Sequence, residues 1–180
     1  MSGTWIQTFG GRRLEPLSPR AEDLAVEDIA HALSLLCRFN GHCRAFYSVA
    51  EHSVRVARIL PPELALWGLL HDAGEAYLGD IPRPAKRQLP AYVAAEEALM
   101  AVVARRFGLA WPMPPAVAEA DTRLLATEAR DLMGPGVEAW GLTVAPLEAT
   151  IEPWPARVAE AKYLSTFRAL TDRGAGSAAP

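Results

Sequence analysis

Leu69-Leu70-His71-Asp72-Ala73-Gly74-Glu75-Ala76-Tyr77-Leu78-Gly79-Asp80 is the stretch on which the reading of this chain turns. It begins as apolar core and then sets a histidine, two aspartates and a glutamate among the residues from 71 to 80. Successive helical residues point about 100° apart, so His71 and Asp72 can grip one ion from two sides, with Glu75 one turn beyond Asp72. Burying so many ionisable groups is costly unless a metal or opposite charges compensate them. The lead-in, residues 63–73, is apolar almost all round at Leu64, Leu66, Trp67, Leu69 and Leu70. A helix apolar on every side is a buried one, and the run predicts a central helix with His71 and Asp72 at its end.

Upstream, Ser48-Val49-Ala50-Glu51 reads as a capping box opening a helix through Ile59, with His52 in its first turns. Pro61-Pro62 stops it and starts the next. Before it lies a loop, residues 38–47, with a turn at Asn40-Gly41 but rich in Arg, His and aromatics, as a substrate-facing loop would be. Helical spacing predicts a helix over 26–37, and residues 4–9 and 12–17 read as a small hairpin turning at Gly10-Gly11. Downstream, residues 80–84 form a rigid loop followed by Lys86 and Arg87. Helices are expected at 91–107 and 116–132, the second carrying Asp121. Residues 137–154 read as irregular. A last helix follows Pro155 to about residue 170. The whole is an all-α chain with a small N-terminal β-hairpin, one domain over 1–173 and a disordered tail at 174–180.

Composition narrows the class. The 180 residues are 51% apolar and 22% charged, with a net charge of −3, which gives no general attraction to nucleic acid polymers or anionic membranes. Two cysteines, Cys37 and Cys43, without a secretory signal or an apolar run of spanning length, point to a cytoplasmic protein.

All four histidines precede residue 72. His52 comes from one predicted helix, His71-Asp72 from the next, and Asp121 from a later one whose other inward positions are apolar. Mixed imidazole and carboxylate ligands suit Zn, Mn, Fe, Co or Ni, whereas Mg prefers oxygen alone.

His52, then His71-Asp72, then Asp121 resembles the H…HD…D pattern of the HD-domain metal-dependent phosphohydrolases. Val49-Ala50-Glu51-His52-Ser53 and the run from Leu70 to Pro84 are most similar to the bacterial 5′-deoxynucleotidases and the phage dATP triphosphohydrolases. The resemblance spans roughly residues 28–132. It implies a helical HD-domain bundle in which His52, His71, Asp72 and Asp121 bind one divalent ion, Co, Mn, Zn or Ni before Mg. It also implies that Glu75 handles the attacking water, Asp80 reads the sugar, and Lys86 faces phosphate. Those relatives carry an Arg-Trp pair before the first metal histidine. Arg38 and Phe39 are the nearest counterparts here, about one residue closer, as phosphate clamp and stacking platform, with His42 beside them toward substrate. The implied activity is hydrolysis of a (deoxy)nucleotide by water attack on phosphorus, 5′-deoxynucleotidase-like, in a homo-oligomer. The alternative is a dNTP triphosphohydrolase, favoured by Lys86, Arg38 and Arg44. An iron-dependent HD oxygenase, needing spare ligands such as His31 or His42, and a non-catalytic nucleotide sensor are more distant readings.

Overall fold

The computed structural model describes residues 4–176, with side chains through residue 172. Two short strands, β1 (Ile6–Gln7) and β2 (Arg13–Leu14), pair antiparallel with Ile6 opposite Leu14. The rest is helical: α1 (Val26–Leu35), α2 (Val49–Ile59), α3 (Pro62–Leu70), α4 (Glu75–Leu78), α5 (Arg83–Lys86), α6 (Pro90–Arg106), α7 (Pro115–Leu132) and α8 (Ala156–Gly176). Among the described residues no helix is long and apolar enough to cross a membrane. The expected tail begins as helix, since α8 runs to Gly176; residues 177–180 lie outside the described residues.

Helix α2 is the hub, packed against α1, α3, α7 and α8. Its sequence explains this: Val49, Ala50, Val54 and Ala57 are wholly or nearly buried on one side, and Val56 joins a second cluster with Leu124 and Ile151 on the other. Each fully buried Val or Leu stabilises the fold by about 1.5–3 kcal/mol. Ser48 caps α2, its hydroxyl accepting from the Glu51 N–H at 3.1 Å. The reciprocal arm of the capping box is not made. The Glu51 carboxylate is instead buried, accepting from Arg55 and, at 2.7 Å, from the Trp154 N–H, which pins the chain entering α8.

Helix α3 crosses α2 at Gly68, where an added Cβ would lie 3.0 Å from the Ala57 Cα and 2.5 Å from a Leu60 methyl. Only glycine permits that approach, and it brings the end of α3 close to His52. The helix stops at Leu70, earlier than its apolar pattern suggests. Tight i→i+3 bonds follow, from the Ala73 N–H to Leu70 and from the Glu75 N–H to Asp72, both 3.0 Å. His71 and Asp72 therefore sit on a turn between α3 and α4. Gly79, at φ +84°, then redirects the chain toward Asp80.

Candidate metal centre and cavity

The donor atoms of His52, His71 and Asp72 all lie within 4.8 Å of one another. The two imidazoles meet Nε2 to Nε2 at 3.2 Å. Asp72 Oδ2 is 3.2 Å from His71 Nε2 and 3.5 Å from His52 Nε2, and Asp121 Oδ1 is 3.2 Å from His52 Nε2. The four residues expected to share an ion thus converge from α2, the α3–α4 turn and α7.

The far side of each ring fixes what faces inward. His52 Nδ1 lies 2.6 Å from Glu128 Oε1, and His71 Nδ1 lies 2.8 Å from the Gly68 carbonyl. Burial opposes ionisation of Glu128, but Arg38 and His52 outweigh it and lower its pKa to about 2. An ionised carboxylate and a carbonyl only accept, so each Nδ1 carries the proton and, in the neutral ring, each Nε2 is a bare lone pair. Two lone pairs at 3.2 Å beside two carboxylate oxygens repel unless a cation joins them. Mixed imidazole and carboxylate donors are what a borderline divalent metal takes. The residues fit a metal ion. The same demand for positive charge appears in the titration of His52: burial and Arg38 lower its pKa, yet Glu128 and Asp121 push it up to about 9. Asp72 and Asp121 are both held well below the usual carboxylate range, since His71 and His52 overcome the burial that opposes their ionisation.

The two aspartates of this cluster line the inner wall of a cavity of about 690 Å³. Glu75 and Asp80 line it, as do Arg38, Phe39, His42 and Lys86, so every expected site residue outside the buried imidazoles faces one space. Glu75 is 7% exposed, and its Oε2 is buried with no hydrogen-bond partner. Burial, with Asp72 and Asp80 adding, pushes Glu75 well above the usual carboxylate range. Asp80 is raised too, first by burial.

Several of these side chains have partners that the sequence did not suggest. Arg38 is engaged with acids: Nη2 donates to Glu128 Oε2 at 3.0 Å and Nη1 is 3.7 Å from Asp72 Oδ2. Its Nε is buried without a partner. Lys86 donates to Glu96 at 2.7 Å, so phosphate would have to compete for it. Arg83, to which the sequence assigned no role, donates to Asp121 Oδ2 at 2.6 Å and so touches the ligand set. Phe39 and Asn40 take positive φ values of 56° and 50° inside the 38–41 turn. Phe39 lines the cavity there, its ring tilted against that of Trp140 with centroids 5.9 Å apart. Trp140, on the single turn Val137–Trp140, completes an aromatic mouth.

Sequence reasoning passed over Glu128 as a site residue. Its signal was present: it lies seven residues after Asp121, two helical turns on, and so on the same face of α7. Trp140 had no local signal, because its segment has no periodicity to place it. His31 lies elsewhere, stacked on Phe9 at 3.7 Å and 3.4 Å from Glu160, beside a separate cavity of about 280 Å³ under the hairpin.

The chain is 45% identical over 129 residues to the uncharacterized protein YfdR of Escherichia coli, an overlap covering 72% of each chain. It is 39% identical over 148 residues to an uncharacterized protein of Rhodobacter capsulatus, covering 74% of this chain and 76% of that one. No family model matches the chain. At 45% identity over most of both sequences, the chain belongs to the same family as YfdR.

Proposed function

We propose that the chain is an HD-domain, metal-dependent phosphohydrolase acting on (deoxy)nucleotides, 5′-deoxynucleotidase-like. The observation that carries this reading is the pair of imidazole Nε2 atoms 3.2 Å apart, with Asp72 and Asp121 beside them lining a cavity that Glu75 and Arg38 also line. A divalent ion held by His52, His71, Asp72 and Asp121 would polarise a phosphoryl oxygen and make its bound water more acidic.

The chain's own residues supply the rest. Glu75 is the proton acceptor for the attacking water: it lines the cavity beside Asp72, and its buried Oε2 is unsatisfied. Arg38 is held protonated by Glu128 and Asp72 against the cost of burial, and it sets a fixed positive charge at the cavity wall for a phosphate. Asp80, at the cavity wall beyond Gly79, is the group for a sugar hydroxyl. Phe39 and Trp140 offer ring faces to a base, with His42 at the mouth beside them.

Triphosphates are the second reading. Arg83, Lys86 and Arg87 line one side of the cavity mouth, and a longer phosphate chain could draw Lys86 from Glu96 and Arg83 from Asp121. A screen of deoxynucleoside mono-, di- and triphosphates with Mn, Co, Zn and Mg tests both, reading phosphate, pyrophosphate and triphosphate separately. Release of phosphate from monophosphates supports the first reading, and release of triphosphate the second. No hydrolysis of any nucleotide, with metal demonstrably bound, overturns both.

A further inference from the structure

We infer that Glu128 is the positioning residue that joins the metal end of this site to its phosphate end, an inference resting on the metal reading above. Glu128 is wholly buried on α7, and its two oxygens reach two different side chains of the site. Oε1 accepts from His52 Nδ1 at 2.6 Å, and Oε2 accepts from Arg38 Nη2 at 3.0 Å.

Each contact has a consequence at the other end of the side chain it touches. The bond to Oε1 fixes both the tautomer and the rotation of the His52 ring, so that Nε2 meets His71, Asp72 and Asp121. A ring released from Oε1 is free to protonate Nε2 instead, and then it cannot ligate. The bond to Oε2 holds the guanidinium between two carboxylates, Glu128 and Asp72. Without Oε2, Asp72 is the remaining partner nearby, and Arg38 would compete with the ion for that ligand. One carboxylate therefore protects two ligands, His52 directly and Asp72 by restraining Arg38. A plainer role is neutralisation of a buried arginine, and the two make different predictions.

Zinc affinity, measured by chelator competition on the purified full chain without any nucleotide, separates them. Glu128→Gln should weaken zinc by roughly 10- to 100-fold, the range for losing a group that orients a metal ligand. The double variant Glu128→Met with Arg38→Met removes both buried charges together, which costs little stability when shapes match. Its melting temperature should stay near that of the unsubstituted chain while zinc remains about 10-fold weak, because His52 is still unanchored. Zinc affinity returning with the melting temperature would overturn the proposal and leave Glu128 a counter-ion to Arg38. In the unsubstituted zinc-loaded chain, the His52 Nδ1–H proton should be seen by NMR and exchange slowly; a rapidly exchanging one would also overturn it. None of these readouts uses turnover, so absence of nucleotide hydrolysis would not be mistaken for failure here.

Discussion

Behind the inner end of the cavity His52 and Glu128 are wholly buried, bonded to each other at 2.6 Å, with Glu128 also bonded to Arg38. At the mouth, Trp140 is 40% exposed on a single turn, Arg83 is 58% exposed, and Phe39 rests on a left-handed backbone. At the inner end the paired groups have been desolvated and must keep their partners; losing one leaves a charge buried alone, at a cost of several kcal/mol. The mouth carries no such penalty, since water can replace any contact its residues give up. Chemistry that must not vary belongs in the first region, and discrimination between substrates belongs in the second.

The largest effect should come from the centre of the inner end. Asp72→Ala removes a ligand and also leaves His52 and His71 facing each other, so both metal content and turnover should fall to background. Metal analysis of the purified variant checks this. Retention of a full equivalent of metal would mean that the ion binds elsewhere. Glu75→Ala makes the finer cut: metal should remain while turnover falls by roughly 10²-fold or more, as for loss of a general base. If metal left with Glu75, that residue would be a ligand and the assignment of the water's base would be wrong.

This division also explains what could be read from the sequence. The inner end was legible because its residues sit on helices with clear apolar faces, so an acid or histidine among them stands out: His52 on α2, Asp121 on α7, and His71-Asp72 after the apolar run of α3. The helix bounds there were off only at the ends, where the turn 71–74 replaces the last turn of α3. The mouth was not legible in the same way. Trp140 belongs to residues 133–151, which meet α7 through backbone groups bonded to its side chains and through scattered apolar residues such as Leu147 and Ile151, not through a periodic face. Lys86 was read as facing phosphate and Arg83 had no assigned role, and only tertiary structure tells that one meets Glu96 and the other Asp121. Glu128 falls between the two cases: its position on the Asp121 face was visible, but its two partners, Arg38 and His52, lie far away in the sequence.

At the mouth the effects should be smaller and should fall on KM. Trp140→Ala should raise KM for a nucleotide by roughly 10-fold while leaving kcat and metal content nearly unchanged, the size expected for losing a ring that stacks on a base. An equal loss in kcat would show that Trp140 shapes the inner end as well, and the boundary between the regions would have to move outward.

The smallest effect tests what holds the mouth in place. Asp131, at the end of α7, accepts from Arg130 at 2.6 Å and from the Ile151 N–H at 2.8 Å, while Arg130 donates to the Leu147 and Ala149 carbonyls. These bonds tie down the far end of the segment that carries Trp140. Arg130, against a smaller opposing effect of burial, holds Asp131 below its usual pKa in the folded chain. A carboxylate lowered on folding adds stability above its unfolded pKa, near ~3.9, and that stability disappears as the pH falls through the folded value. Asp131→Asn should therefore lower the melting temperature at about pH 7 by about 1–3 °C, the scale of one partly screened surface pair in a chain of this size. The difference should narrow below about pH 4, because acid then removes from the unsubstituted chain the charge that the substitution removes directly. The same variant should raise KM slightly without touching metal affinity. A change in metal affinity would mean that strain at the mouth reaches the buried ligands along α7, and the two regions would then have to be treated as one.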